Sequence, residues 1–313
     1  MSEFLNALTS GLGVGSVYAF VALAFSFIYR ATGSFNFAQG QLVTFGSLFA
    51  YTLFTWAKLP APVALILTVT IVAVLGGMIE RVAVWPLARA QNHELLMLIS
   101  TLGIGVLLTG GAERIWGTTP LATLFAYSSL ALVITNTVPI SDVPPKLFDL
   151  ALYWHGIPRQ TLLVYVPVIA IVWLLMRFTV FGRHLYGLGT NAVAERFAAG
   201  PVVLARFSAF AISGMLAGIV ALVTSARFAS ARPDAGLNLE LQSITIAVLG
   251  GVAITGGVGT VPPVVLATLL ITLVNNGINL AGIDPIWQQA ALGGILIGSA
   301  LLNSFAGRRY GAT

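Results

Sequence analysis

Cysteine is absent from all 313 residues, which excludes disulfides, zinc–thiolate sites and a cysteine nucleophile. Charge is scarce as well. Asp, Glu, Lys and Arg make up 8% of the chain, against about 25% in a soluble domain. Only three histidines occur, and His93, His155 and His184 are too scattered to suggest a metal cluster. The phosphate-binding pattern G-x-x-x-x-G-K-[ST] is also missing. GRHLYGLGT (182–190) is Gly-rich but contains no lysine.

What remains is apolar. Hydrophobic residues reach 58% and the mean hydropathy is +0.94. A soluble fold of this size cannot bury so much apolar surface, so lipid is the expected solvent. Nine segments have the length and character of spans, which need about 20 apolar residues. They cover 8–29, 37–56, 62–84, 95–115, 161–178, 203–225, 240–258, 261–282 and 286–304. The expected fold class is all-α, a polytopic membrane protein of about eight or nine transmembrane helices in two pseudo-repeated halves. One transmembrane domain is expected over 1–313. Glu3 is the only charge before Arg30, so no basic region precedes the first apolar run, which reads as a retained span rather than a signal peptide.

The net charge of +5 is explained by topology, without nucleic acid. Arg30, Arg81, Arg89, Arg177, Arg183, Arg196, Arg206, Arg308 and Arg309 fall in alternate connections, against six basic residues on the other side. The richer side is assigned to the cytoplasm, with the N-terminus outside and the C-terminus inside. Residues 120–139 are apolar enough to suggest a further span. A span there would move four of those arginines outside, so the segment is read as re-entrant or interfacial within an outer loop over 116–160. Pro144, Pro145 and Pro158, with Tyr153–Trp154, suit such a loop ending at a membrane interface.

Two interruptions mark a weak internal symmetry. SFNFAQGQ (34–41) precedes one apolar run, and LGGVAITGGVG (249–259) sits inside another. Broken spans in corresponding halves often mark a substrate path. The candidate pathway residues are Asn36, Gln39 and Gln41 from the first, and Ser243, Thr245, Gly250, Gly251 and Thr255 from the second. All are uncharged, which suits a zwitterion or a neutral solute. Tight helix packing by the glycines and back-bonding by Ser and Thr are the plainer alternatives. In the loop 182–201, Asn191 is a candidate N-cap, Gly200 a candidate C′ residue, and Pro201 follows. These bracket a short helix over 192–199. Val193 and Phe197 share one face of it, with Glu195 and Arg196 lying elsewhere. So short a helix needs an external contact to be stable. On the outer side, Arg227, Arg232 and Asp234 could steer a soluble partner or form a plain solvated loop. Glu240 is read in the same outer stretch. Glu80–Arg81 and Glu113–Arg114 read as surface or interfacial pairs.

FNFAQGQLVTFGSLFAY (35–51) resembles the signature of branched-chain amino-acid ABC permeases, with its Asn-Phe-Ala-His/Gln-Gly core. The resemblance continues in IERVAVWPLARAQNHELLMLISTLGIGVLL (79–108). Glu80, Arg81, Pro86, Leu87, Thr101 and Gly103 match there, and the arginine comes one place late at Arg89. It continues again in the loop and helix of 179–223. The tail 250–303 departs from that pattern. Asn275 to Leu280 and Gln288–Gln289 are more similar to the related ribose-type sugar permeases. The resemblance implies a permease subunit of an ATP-driven importer, with branched-chain or hydrophobic amino acids as the leading substrates. Sugars, nucleosides, urea or amides and aromatic acids are the alternatives. It implies no cofactor on this chain, since ATP and Mg belong to a partner. It implies a second permease subunit, two ATPase subunits and a substrate-binding protein, in a bacterial inner membrane. The ATPase would receive the 192–199 helix, with Phe197 as apolar anchor. An ion-coupled transporter is the rival class. It usually carries acids at mid-membrane, whereas the acids here fall at span ends or in loops.

Overall fold

The computed structural model describes residues 2–88, 90–122, 165–198, 200–228, 230–251, 261–284 and 286–310. Arg89, Thr255 and residues 123–160 of the expected outer loop lie outside them.

Each of the nine predicted segments contains a helix. In chain order they are α1 (Ser2–Thr32), α2 (Gln39–Tyr51), α3 (Ala61–Ile79), α4 (His93–Trp116), α5 (Val166–Phe178), α7 (Val202–Phe228), α8 (Leu239–Leu249), α9 (Val261–Leu280) and α10 (Ile286–Tyr310). A further helix, α6 (Val180–Phe197), joins α5 to α7. Two-residue strands β1 (Leu121–Ala122) and β2 (Ser230–Ala231) pair antiparallel. Among the described residues, four stretches can cross a membrane by length and composition: Ala61–Leu87, His93–Trp116, Val202–Ala226 and Val261–Leu280. A fifth results if α5 and Val180–Thr190 count as one broken span, bent by 72°. The predicted span 240–258 is cut short. Its helix stops at Leu249, and Gly251 adopts φ +74°.

The core is built around α1. From Phe20 to Phe25 no side chain is more than 2% exposed. A helix apolar on every side belongs inside a bundle. Here α7, α8, α9 and α6 surround it. The outer helices show the reverse pattern. Ile66, Val106, Leu107, Leu266 and Ile297 are each at least 64% exposed, which is a face for lipid and not for water.

The two ends of the bundle differ. At the basic end, Arg30 stacks over the Tyr186 ring (4.3 Å) and Arg81 over Phe207 (5.5 Å). Glu80, expected in a surface or interfacial pair, is fully buried there, with Arg81 at 3.7 Å. At the opposite end, Trp116 Nε1 donates to Thr52 Oγ1 (2.8 Å), near the β1–β2 pair.

Small residues set the main seam, between α3 and α7. A Cβ on Gly76 would strike the Phe210 carbonyl and come within 3.2 Å of Gly214 Cα. Gly214 and Gly218 present the same closeness from α7, in the small-xxx-small spacing that lets membrane helices touch. Gly76→Val is expected to destabilise the fold by about 1–3 kcal/mol, the usual cost of overpacking. A lower midpoint in detergent denaturation would show it, and an unchanged midpoint would mean the seam is looser than described.

Candidate functional site

The chain does not turn at the end of α1 and start a new helix. It first climbs through a bend at 33–34 and a turn closed by the Gln39 N–H on the Asn36 carbonyl (3.2 Å). Gly33, with φ +71°, closes α1 by donating its N–H to the Tyr29 carbonyl (2.7 Å). Phe35 then folds back and stacks on Tyr29 (ring centroids 4.7 Å apart). Depth can be read from the neighbours. Ser34 Oγ donates to the Glu94 carbonyl (3.1 Å), in the first turn of α4. The Phe37 N–H donates to Thr101 Oγ1 (3.2 Å), eight residues past His93 and so about 12 Å deeper. Gln39 meets Ser213, eleven residues past Val202, at about 16 Å. The segment 33–38 therefore reaches the middle of a hydrocarbon layer about 30 Å thick, and α2 completes the crossing.

The fixings of this segment are polar and internal. Asn36 Oδ1 accepts from the Ala38 N–H (3.0 Å), and Asn36 Nδ2 lies 3.5 Å from Gln39 Oε1. Ser213 Oγ donates to Gln39 Oε1 (2.8 Å), while Gln39 Nε2 donates to the Ser213 carbonyl (3.3 Å). Both ends of the Gln39 amide are thus paired with Ser213 of α7, and the residue has no exposure. Gln41, also buried, lies against Gly105 of α4.

A second climb comes from the opposite end. After β2 the chain turns through 232–238 and enters α8, which runs on toward the basic end. Gly236 donates its N–H to Thr44 Oγ1 (2.9 Å), and its backbone touches that of Gly40. At the far end of α8, Gly250 packs on Val264, whose neighbours Val261, Arg30 and Met176 mark the basic end. The two broken crossings run in opposite senses and meet at mid-depth, N-terminus to N-terminus. The stretch 232–240 thus lies opposite 34–41. Most of 249–259, the counterpart expected from sequence, lies outside the described residues.

Glu240 lies at this junction, not in an outer loop. Its carboxylate presses on Gly40 and accepts hydrogen bonds from the backbone of Gly40 and of Glu240 itself. Two helix N-termini in close approach place two positive dipole ends together, and a carboxylate between them offsets both. Sequence reasoning did not assign Glu240, Ser213, Thr101 and Thr44 to this site, because only the packing of separate helices brings them together. The one available signal was Glu240 in the first turn after Asn238, the acidic bias of a helix start.

The remaining candidates fall as follows. Ser243 (0% exposed) and Thr245 (2%) are enclosed by α8 and its neighbours. Thr245 Oγ1 bonds back to the Leu241 carbonyl (2.7 Å), whereas Ser243 Oγ has no partner among the described residues. The face left open beside the junction carries Leu237 (56%), Asn238 and Leu241 (58%). Arg232 and Asp234 form an exposed two-pronged ion pair (2.9 and 2.8 Å) above it. The side chains of Arg227, Asn191 and Val193 lie outside the described residues.

The expected short helix over 192–199 is not separate. Thr179 caps a helix running from Val180 to Phe197 by accepting from the Gly182 N–H (3.2 Å), so Asn191 lies inside it and is not its N-cap. Yet His184 Nδ1 and Glu195 Oε1 are only 2.6 Å apart. Eleven residues of straight helix would separate them by about 16 Å, so α6 folds sharply back on itself. Glu195 is thereby turned inward onto His184 and does not project as a docking charge. The Gly200 N–H donates to the Glu195 carbonyl (2.9 Å), the six-to-one bond of a Schellman ending, which places Gly200 at C″ and not C′. At this tip Arg196 is exposed and Phe197 is 89% exposed.

Residues 7–300 match the family described as "Branched-chain amino acid transport system / permease component". The chain belongs to that permease family. It is 31% identical over 234 residues to the "Probable ABC transporter permease protein" of Sinorhizobium fredii, covering 72% of this chain and 70% of that one. It is 25% identical over 296 residues to the ribose import permease of Haemophilus influenzae (94% and 84%). It is 32% identical over 188 residues to the L-arabinose transport system permease of Escherichia coli (60% and 57%). No solved structure matches the chain. The permease is therefore an ABC transporter subunit that works in a membrane, not an enzyme. Its polar junction is part of a transport fold.

The reciprocal Gln39–Ser213 pair can be tested within the permease. Gln39→Leu alone strands a buried hydroxyl and should cost about 1–3 kcal/mol, while Gln39→Leu with Ser213→Ala should recover most of it. A double-mutant cycle on detergent stability reads the difference, and additive losses would mean that the two groups do not depend on each other.

Proposed function

We propose that the permease imports a sugar, of pentose or similar size, as one of two membrane subunits driven by two ATPase chains and fed by a substrate-binding protein. The observation that carries this reading is the relationship to ribose and arabinose permeases over most of the chain. It moves the substrate from the amino acids expected first to the sugars held as the alternative. The absence of fixed charge among Asn36, Gln39, Gln41, Ser243, Thr245 and Thr255 also suits a neutral, hydroxylated solute.

In this reading the basic end faces the cytoplasm, so the N-terminus is outside and the C-terminus inside. The passage runs between two subunits along the open side of the junction, past Leu237, Asn238 and Leu241. The buried candidates, Gly250 included, form the wall behind it, and Gly251 follows at the end of α8. Arg227, Arg232 and Asp234 meet the binding protein. The α6 tip enters the ATPase with Val193 and Phe197 foremost, while Arg196 faces the cavity beside α7, and its position bears on α5 through the bend at Thr179. Weak contacts along the passage suit transfer better than a tight site, which would hold its cargo.

The test is uptake by liposomes containing the permease, its ATPase and its binding protein, with ribose, arabinose, xylose and leucine offered separately. Accumulation of a sugar with ATP inside supports the reading, and accumulation of leucine in place of any sugar contradicts it.

A further inference from the structure

A cavity of about 170 Å³ opens at the basic end, lined by Trp85, Pro86, Ala88, Arg196, Val202, Val203 and Arg206. Three separate pieces of chain form it: the loop after α3, the α6 tip and the first turn of α7. Its electrostatics are one-sided. Arg206 lies within reach of Glu80 and Arg196, and Arg81 is 3.7 Å from Glu80. That sets three guanidinium groups against a single carboxylate, because Glu195 is engaged by His184. Arg206 Nε is buried and has no hydrogen-bond partner among the described residues. The α7 N-terminus, whose first N–H groups have no partner within the helix, forms one wall. These features together call for an anion.

The surroundings identify its carrier. Val82 (64%), Trp85 (50%), Val203 (43%) and Leu204 (62%) flank the cavity as exposed apolar side chains. A soluble anion has no use for such a rim, whereas acyl chains do. Trp at the end of a span marks the headgroup level. Basic pockets between membrane helices recur as headgroup sites.

We propose that this cavity seats the phosphate of an anionic phospholipid, with Arg196 and Arg206 on the headgroup and Trp85, Val203 and Leu204 along the chains. One lipid then ties the α3 end, the α6 tip and the start of α7 together. Because Arg196 belongs to the tip that bears Phe197, the lipid also steadies the element proposed to receive the ATPase.

Native mass spectrometry of the full permease, released from membranes with equal phosphatidylglycerol and phosphatidylcholine, tests the site independently of transport. Retained phosphatidylglycerol should exceed phosphatidylcholine by about 5-fold if one arginine engages and about 30-fold if both do. Arg196→Gln with Arg206→Gln should bring the ratio near one, while Arg183→Gln, an exposed arginine outside the cavity, should leave it unchanged. If the double variant fails to fold, a photoreactive phosphatidylglycerol on the unaltered permease should label the peptides containing 82–88 and 202–206. Equal retention of the two lipids, or labelling only elsewhere, overturns the proposal. So does displacement of the lipid by millimolar glycerol phosphate, which would show a site for soluble phosphate.

Discussion

Gly236→Ala is expected to reduce substrate flux by roughly 5-fold to more than 100-fold. A Cβ at Gly236 would run into the Gly40 carbonyl and would lie 2.9 Å from Thr44 Oγ1. The obstacle is backbone, not the movable end of a side chain. The two broken crossings must therefore separate, and that also loosens the Glu240 carboxylate from the Gly40 N–H. Overpacking of this kind costs about 1–3 kcal/mol or more, and each 1.4 kcal/mol is tenfold in the population of the joined state. Gly110→Ala serves as the control, because a Cβ there meets nothing within 4 Å. Uptake in assembled liposomes is the measurement, with detergent yield recorded for both variants. Flux at the level of the control would mean that the contact between Gly40 and Gly236 is dispensable for transport.

The second large effect is expected at Phe197. An aromatic side chain 89% exposed at the tip of a folded-back helix is costly to leave in water. It gains most when a partner's pocket encloses it, and central aromatic anchors typically contribute 2 kcal/mol or more to an interface. Phe197→Ala should weaken ATPase association by about 30-fold, while the helix fold, held by the His184–Glu195 contact and the Gly200 bond, stays in place. Pull-down of the ATPase at varied concentration reads the affinity, and the denaturation midpoint of the isolated permease should not change. Unaltered association would remove Phe197 from the interface.

The sequence made some of this legible and hid the rest for physical reasons. Long apolar runs announce helices in any environment, so all nine segments were found, and the polar string around Asn36 and Gln39 announced a break. The stretch that meets it, 232–240, was not picked out because its signal is quiet. Residues 232–240 read as an ordinary outer loop, with an exposed ion pair at one end and one carboxylate at the other. Only the contact between Gly236 and Gly40 reveals that the loop descends to mid-depth. Glu80 misled for the opposite reason. A charge beside another charge at a helix end looks solvated, yet α7 covers it. The end of α6 was legible in Gly200 and Pro201, whereas its start at Thr179 was not. Its fold-back depends on a contact eleven residues distant, which helical periodicity cannot encode.

Expected roles in transport all rest on energy arriving from another chain through the α6 tip. Sugar uptake into liposomes carrying this permease and its binding protein, compared with and without the ATPase subunits and internal ATP, measures that dependence directly. Accumulation only when both ATPase and ATP are present is the predicted result. Accumulation by the permease alone under an ion gradient would contradict it.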